Sequence, residues 1–125
     1  MKFCRDDSGS VTIEFVLWLP LALFLVMMAV DTTFAFLGMT NMWQVSRETA
    51  RVMSRYGMDD ATAEATAASA GTFLGYTPSV SVSYSSGDVL VAMSMPAGAL
   101  TPFGMLGFTG SQNITTIVSH TMEPL

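Results

Sequence analysis

The sequence predicts an α+β fold: a long N-terminal transmembrane and amphipathic helix, a second short helix, and a small antiparallel sheet of about three strands. Three observations lead to this expectation. An apolar run without charge spans 15–30, an amphipathic stretch of helical period follows it, and the C-terminal half contains segments that alternate valine with serine. A membrane helix that carries a small extramembrane unit satisfies all three.

Composition supports a membrane segment and argues against several functions. Half of the 125 residues are hydrophobic and only 12% are charged, whereas soluble domains have about 25% charged residues. The net charge of −5 argues against nucleic acid as a partner. Cys4 and His120 are the single residues of their types, so an internal disulfide and a multi-histidine metal site are excluded. We expect no cofactor.

The apolar run has the length of a membrane span. Val11–Val30 supplies about the 20 residues that a transmembrane helix needs. Asp31 then interrupts, but the apolar sequence resumes and continues to Met39, so the span could end near Asp31 or tilt and run past it. Asp31 is expected to be an interfacial residue, and a paired acid inside the membrane is the alternative. Pro20 is tolerated in such a helix.

The flanking sequence predicts a retained anchor and its orientation. The run is longer than the apolar region of a signal peptide, and no small-residue cleavage site follows it. Lys2 and Arg5 precede the span, which favours a cytoplasmic N-terminus.

The helix is predicted to continue beyond the membrane. From Thr40 to Tyr56 one face repeats at helical spacing, and Gly57 is a natural residue to follow the helix end. The expected buried face consists of Met42, Val45, Thr49, Val52 and Tyr56, and the expected polar face of Gln44, Arg47, Glu48, Arg51 and Arg55. One helix from about residue 10 to about residue 56 is the simplest interpretation.

The C-terminal half predicts a helix and three strands. Asp59 and Asp60 are typical of a helix N-cap before "ATAEATAASA", which ends at Gly71. "SVSVSYS" and "VLVAMSM", joined by the turn "SSGD", predict a hairpin, and "NITTIVSHTM" predicts a third strand. The apolar segment before it is expected to include a short turn of helix from Pro102. Its large side chains either complete the core or form a contact patch; they are Leu100, Phe103, Met105, Leu106 and Phe108.

Glu14 lies at the edge of the apolar run, where a carboxylate is costly. It could be a solvated residue in the first helical turn, where the helix dipole favours an acid by about 0.3–1 kcal/mol. The whole pattern offers a second interpretation. A short leader with two basic residues is followed by Gly9, four residues, Glu14 and Phe15, and then an apolar helix.

This pattern resembles the class III signal of type IV prepilins, more closely its Flp/Tad branch, and within that branch the TadE-like family of pilus assembly proteins or pseudopilins. "DDSGSVTIEFVLWLPLALFLVM" is similar to the family signature, and the tail "SHTMEPL" resembles the family's C-terminal end. The resemblance implies that residues 1–9 are a leader peptide, removed between Gly9 and Ser10 by a prepilin peptidase. It divides the rest into a helix at 10–57 and an extracytoplasmic α+β head at 58–125.

The resemblance also implies roles and partners. Glu14 becomes the fifth residue of the mature chain, and Glu14 and Phe15 become assembly residues. The carboxylate of Glu14 would meet the N-terminal amine of a neighbouring subunit. The function implied is a minor pilin or pseudopilin of a Tad-type pilus or secretion system, in the bacterial inner membrane with the head periplasmic or extracellular. The partners would be the peptidase, other pilin or pseudopilin subunits, Tad assembly proteins and the lipid bilayer. An unprocessed single-pass adaptor is the alternative.

The remaining polar residues suggest contacts rather than chemistry. Arg47, Arg51 and Arg55 share one helix face, which is either a solvated surface beside Glu48 or a surface that docks onto acidic partners. The carboxylates are scattered, and no nucleophile, zinc-protease or phosphate-loop motif occurs. We therefore do not expect an enzyme.

Overall fold

The computed structural model describes residues 8–106 and 112–122, with side chains from residue 12 onward. Lys2, Cys4, Arg5 and Phe108 lie outside the described residues, and so do the predictions that rest on them. The described elements confirm the predicted α+β class: α1 is Ser8–Tyr56, α2 is Asp60–Ala70, and the strands are β1 Ser79–Ser85, β2 Asp88–Pro96 and β3 Asn113–Thr121.

Helix α1 is a single element of 49 residues, as its continuous pattern predicts. At 1.5 Å per residue it is about 74 Å long. Pro20 lies inside it without ending it. The helix ends where glycine permits a left-handed residue: Gly57 has a φ of +60°, and its N–H donates to the carbonyl of Met53 at 3.1 Å.

Helix α2 and the sheet follow the predicted boundaries closely. Asp59 is the N-cap of α2 and accepts a hydrogen bond from the N–H of Thr62 at 3.4 Å, while Gly71 follows the last helical residue. The three strands form one antiparallel sheet in the order β1-β2-β3. Residues 86 and 87 form the two-residue turn between β1 and β2.

The core of the head lies between the sheet and the C-terminal half of α1. Alternate residues of the central strand are buried: Val89, Val91, Met93 and Met95. Near the middle of α1, Met42 packs with Met93, Met95 and Leu100, and nearer the helix end Ala50 and Met53 pack with Val89 and Val91. Strand β2 therefore runs back along α1, from the helix end towards the apolar half.

The buried face of α1 differs from the predicted one. Met42 is buried as expected, Val45, Thr49 and Val52 are only half-buried, and Tyr56 is exposed. The residues that are buried are Asp31, Gly38, Met42, Ser46, Ala50, Met53 and Ser54. Small residues occupy much of this face because the sheet packs close to the helix backbone. Small residues are only weakly hydrophobic, so a hydrophobicity pattern does not identify them as buried.

The segment after β2 also differs from the expectation. The helical turn is a 3-10 helix at Ala97–Leu100 rather than one that begins at Pro102. Leu100 is fully buried, Met105 and Leu106 are half-buried, and Phe103 is exposed. The segment therefore completes the core through Leu100 and presents the side chain of Phe103 outward. Whether Phe103 forms a contact patch remains a prediction.

The β1 edge of the sheet is covered by α2. Glu64 of α2 accepts a hydrogen bond from the backbone N–H of Val82, in the middle of β1, at 2.9 Å. Tyr84 near the end of β1 donates its hydroxyl to Asp60 of α2. Edge strands expose unpaired backbone groups that invite pairing with other chains, and here a side chain occupies one of them.

Candidate assembly and membrane-junction site

The N-terminal half of α1 presents a continuous apolar surface. Every side chain from Thr12 to Val26 is exposed, and none of the most apolar stretch of the helix is buried within the chain. This helix is long and apolar enough to cross a membrane. Its exposed large side chains include Ile13, Phe15, Val16, Leu17, Trp18, Leu19, Leu21, Leu23, Phe24, Leu25 and Val26.

Glu14 lies within this apolar surface. Its side chain is exposed, and among the residues whose side chains the structure describes none pairs with it. With α1 beginning at Ser8, Glu14 lies beyond the first helical turn, which contains no acidic residue. The dipole effect fades within the first turn, so in the uncut chain it stabilises Glu14 little.

The residues of the predicted cleavage site and their neighbour Phe15 belong to the same helix. The backbone of Gly9 and Ser10 is helical, and Phe15 is exposed beside Glu14. The structure thus places Glu14 and Phe15 together on the apolar half of α1. Cleavage after Gly9 remains a prediction.

Asp31 follows the apolar run directly, and its side chain is fully buried within the chain, with 0% exposed. Whether it lies at the membrane interface remains a prediction. Its two carboxylate oxygens accept hydrogen bonds from the backbone N–H groups of Phe103 at 2.8 Å and Met105 at 2.6 Å. The acid therefore fixes the segment 101–106 to α1 at the point where the apolar run ends.

A close helix contact lies two turns further along α1. A Cβ atom on Gly38 would stand 2.4 Å from Cδ2 of Leu100, so the absence of a side chain lets Leu100 reach the helix surface. Asp31 and Gly38 together attach the chain between β2 and β3 to α1. This attachment sets the border between the exposed half of the helix and the half that carries the head.

The arginine row makes local contacts. Arg51 donates to Glu48 at 2.9 Å in an exposed ion pair, and the guanidinium of Arg47 lies 5.4 Å from the ring centre of Trp43. Exposed pairs of this kind contribute little stability. The row lies far along α1 from the apolar half, and whether it contacts a partner remains a prediction.

The rest of the described surface offers weaker candidates for a site. A groove of about 210 Å³ between α1 and α2 is lined by Val45, Val52, Met58, Ala63 and Ala67 among others. Within residues 8–106 and 112–122, no cluster of three or more histidine, cysteine or acidic residues could hold a metal ion. The apolar half of α1 and its junction with the head are therefore the features with the clearest functional content.

These features define a class of protein: a chain whose apolar N-terminal helix can serve as a single membrane anchor and whose small α+β head packs on the far half of the same helix. A family model described as TadE-like protein matches residues 9–51, about a third of the chain. The match confirms the resemblance inferred from Gly9, Glu14 and Phe15. Comparison with curated proteins and with solved structures gives no match.

The matched segment has a clear structural meaning. It begins at Gly9, includes the whole exposed apolar surface, and extends through Asp31 and Gly38 into the half of α1 that packs on the sheet. The match makes this segment similar to TadE-like proteins, which suggests an association with Tad pili.

Proposed function

We propose that this chain is a minor pilin or pseudopilin-like subunit of a Tad-type pilus assembly or secretion system. It is held in the bacterial inner membrane by α1, with a cytoplasmic N-terminus and a periplasmic or extracellular head. The observation that carries the proposal is the TadE-like match over 9–51, because it joins the peptidase motif to the exposed apolar helix. The partners are a prepilin peptidase, other pilin-like subunits and Tad assembly proteins.

The attachment of the head sets the depth of the helix in the bilayer. Since the head is attached to α1 from Asp31 onward, the segment 11–30 remains for the hydrocarbon. Its 20 residues span about 30 Å, the thickness of that layer. Glu14 precedes Asp31 by 17 residues, or about 25 Å along the axis. Glu14 then lies just inside the cytoplasmic edge of the hydrocarbon.

At that depth an exposed carboxylate needs a partner. Acidic side chains within membrane segments are costly and pair with cationic or polar groups. Cleavage after Gly9 would create a free amine on Ser10, about 6 Å along the helix axis from Glu14 towards the cytoplasm. A neighbouring subunit displaced along the axis by that distance could bring its amine to Glu14. This pairing would form between two chains. It would explain why Glu14 is exposed and has no partner among the described residues of its own chain.

Processing can be tested directly by intact mass. In cells that contain the peptidase, the mature chain should begin at Ser10 and lack Cys4. Gly9→Leu should block cleavage, because the peptidase must accommodate a small residue before the cut. Retention of residues 1–9 in the native chain would favour the unprocessed adaptor.

The assembly role of Glu14 needs a variant with a matched control. Glu14→Gln is nearly isosteric and should leave membrane insertion and processing unchanged, while recovery with pilus subunits and piliation should be lost. Glu48→Gln removes an exposed acid from the same helix, outside the apolar half. We expect it to assemble normally. Equal recovery of both variants with their partners would make Glu14 an ordinary interfacial carboxylate.

A further inference from the structure

Two tight turns at opposite ends of the head share one backbone geometry. Leu74 and Gly75 have φ values of +48° and +81°, and Ser86 and Gly87 have +53° and +87°. In the first turn Phe73 and Tyr76 exchange two backbone hydrogen bonds of 2.9 Å. Positive φ at both central residues is the requirement of a type I′ turn, which favours asparagine, aspartate or glycine at the first position.

Leucine is a poor choice for the first position of such a turn. Its side chain disfavours positive φ, and 45% of Leu74 is exposed, so burial in the head compensates little for the strain. Neighbouring Tyr76 is also 57% exposed. The equivalent turn at the other end of the head has a polar serine, so folding alone does not require a large apolar residue at this position.

The Leu74 turn lies at the end of the head that faces the apolar half of α1. The ring of Phe73 packs 6.3 Å from the ring of Phe34, which is one helical turn beyond Asp31. The segment 101–106 is attached at the same level through Asp31, and Phe103 within it is 52% exposed. Two exposed apolar loops therefore lie beside α1 where the span of 11–30 ends.

The end of the head that carries the two exposed apolar loops is also poor in charged residues. Among the described residues of the head and of the half of α1 that carries it, the stretches 32–46, 65–87 and 89–106 contain no aspartate, glutamate, lysine, arginine or histidine. The charged groups gather towards the other end of the head: Arg47, Glu48, Arg51, Arg55, Asp59, Asp60, Glu64 and Asp88. Asp31 is the exception, and its carboxylate is bound by two backbone N–H groups.

We propose that this end of the head is a lipid-binding surface, in which Leu74, Tyr76 and Phe103 insert into the headgroup region of the outer leaflet. Aromatic side chains are favoured at that depth, and interfacial segments bury apolar groups about 5–10 Å into the headgroup and acyl boundary. The absence of charge makes zwitterionic lipid sufficient. The inference rests on the anchoring part of the proposed function and is independent of any pilus partner.

Depth-dependent quenching in vesicles tests the proposal on the full chain. With Cys4 replaced by serine, single cysteines at Leu74, Phe103 or Ser86 are labelled with a polarity-sensitive fluorophore. The protein is reconstituted in phosphatidylcholine vesicles that contain lipid brominated near the top of the acyl chain. Leu23→Cys, near the middle of the span, is measured with lipid brominated deeper in the acyl chain and reports whether α1 is inserted at all.

Labels at Leu74 and Phe103 should be blue-shifted and quenched several-fold more strongly than the label at Ser86, and added anionic lipid should change this little. Quenching at 74 and 103 that only equals that at 86, with Leu23 strongly quenched, would overturn the lipid-binding surface and leave the anchor intact. That result would mean that these loops remain in water. Absence of quenching at Leu23 would overturn both the anchor and the inference.

A second variant separates insertion from folding. Leu74→Asn suits positive φ, so the turn and the head should fold at least as well as before. The Phe103 label should nevertheless become less deeply quenched, because one of the two inserted loops has lost its apolar tip. Unchanged quenching at Phe103 would show that Leu74 has no part in holding the head to the bilayer.

Discussion

Each half of α1 contains a carboxylate at an end of the apolar run, and the two carboxylates have opposite environments. In the head half, Asp31 is buried and both of its oxygens accept hydrogen bonds from the segment 101–106. In the apolar half, Glu14 is exposed and no described side chain pairs with it. Both acids border the same apolar run, so the environment rather than the residue type distinguishes a structural role from one that needs another molecule.

The difference shows which contacts the chain can supply itself. A carboxylate that folds into the head is satisfied by backbone N–H groups 72 and 74 residues away. A carboxylate on a lone membrane helix has only lipid, water or other chains beside it. Mutations in the half of α1 that carries the head should therefore change the stability of the head. Mutations in the apolar half should change the association of the chain with other subunits.

The largest effect on stability is expected at Asp31. Asp31→Ala leaves two partly buried N–H groups without their acceptor and should destabilise the head by roughly 2–4 kcal/mol, since hydrogen bonds to charged groups are among the stronger ones. Urea unfolding in detergent micelles, followed by hydrogen exchange of the β2 amides, measures the loss. Asp31→Asn retains one acceptor oxygen, so the stability of its head should lie between those of the wild type and Asp31→Ala. Equal stability of all three chains would remove the contrast with Glu14.

A smaller effect is expected at Gly38. Gly38→Ala places a methyl group against Leu100, and overpacking of this kind costs about 1–3 kcal/mol, offset by up to about 1 kcal/mol of gained helix propensity. The same unfolding measurement should show a modest net destabilisation. In a Leu100→Ala background the contact no longer exists, so Gly38→Ala should become stabilising there. A penalty that persists in that background would mean that Leu100 is not the obstacle.

The hydrogen bond between Tyr84 and Asp60 should contribute less. This bond raises the pKa of Tyr84 above its usual value, so its contribution is present below the ordinary tyrosine pKa and is lost as the pH rises through the raised one. Tyr84 is largely exposed, and Tyr84→Phe should cost no more than about 1 kcal/mol at neutral pH. Unfolding curves of wild type and variant should differ at neutral pH and converge only as the pH rises past the raised pKa of Tyr84.

The smallest effect on stability is expected at Glu14. Glu14→Gln should leave the unfolding of the head unchanged, because Glu14 makes no contact with the described part of it. The same hydrogen-exchange measurement of β2 serves as the readout. A destabilised head would show that the two halves of α1 are energetically coupled rather than independent.

Local patterns were enough to predict the elements of this fold. The helix of about residues 10–56 was found at Ser8–Tyr56 because its apolar and amphipathic stretches join without a break. Asp59 as a cap and the valine–serine alternation located α2 and the strands. The motif at Gly9, Glu14 and Phe15 likewise predicted the family match, since its spacing is contained in a short segment.

Non-local contacts account for what the sequence did not reveal. The partners of Asp31 are backbone groups, which have no residue signature, and they lie in a segment far along the chain. Gly38 and Ala50 are on the buried face because the sheet comes close, whereas hydrophobicity favoured Val52 and Tyr56. Only the strained conformation of Leu74, visible in the folded backbone, draws attention to its turn.

The bond from Val82 to Glu64 limits how the sheet can grow. A sheet that grows without end would need the β3 edge of each molecule to pair with the β1 edge of the next. In this chain Glu64 of α2 already binds a backbone N–H at the β1 edge. Pairing of copies through the β3 edge alone would end with a dimer. The hydrogen bond from Val82 to Glu64 thereby disfavours the growth of sheet fibres from this head.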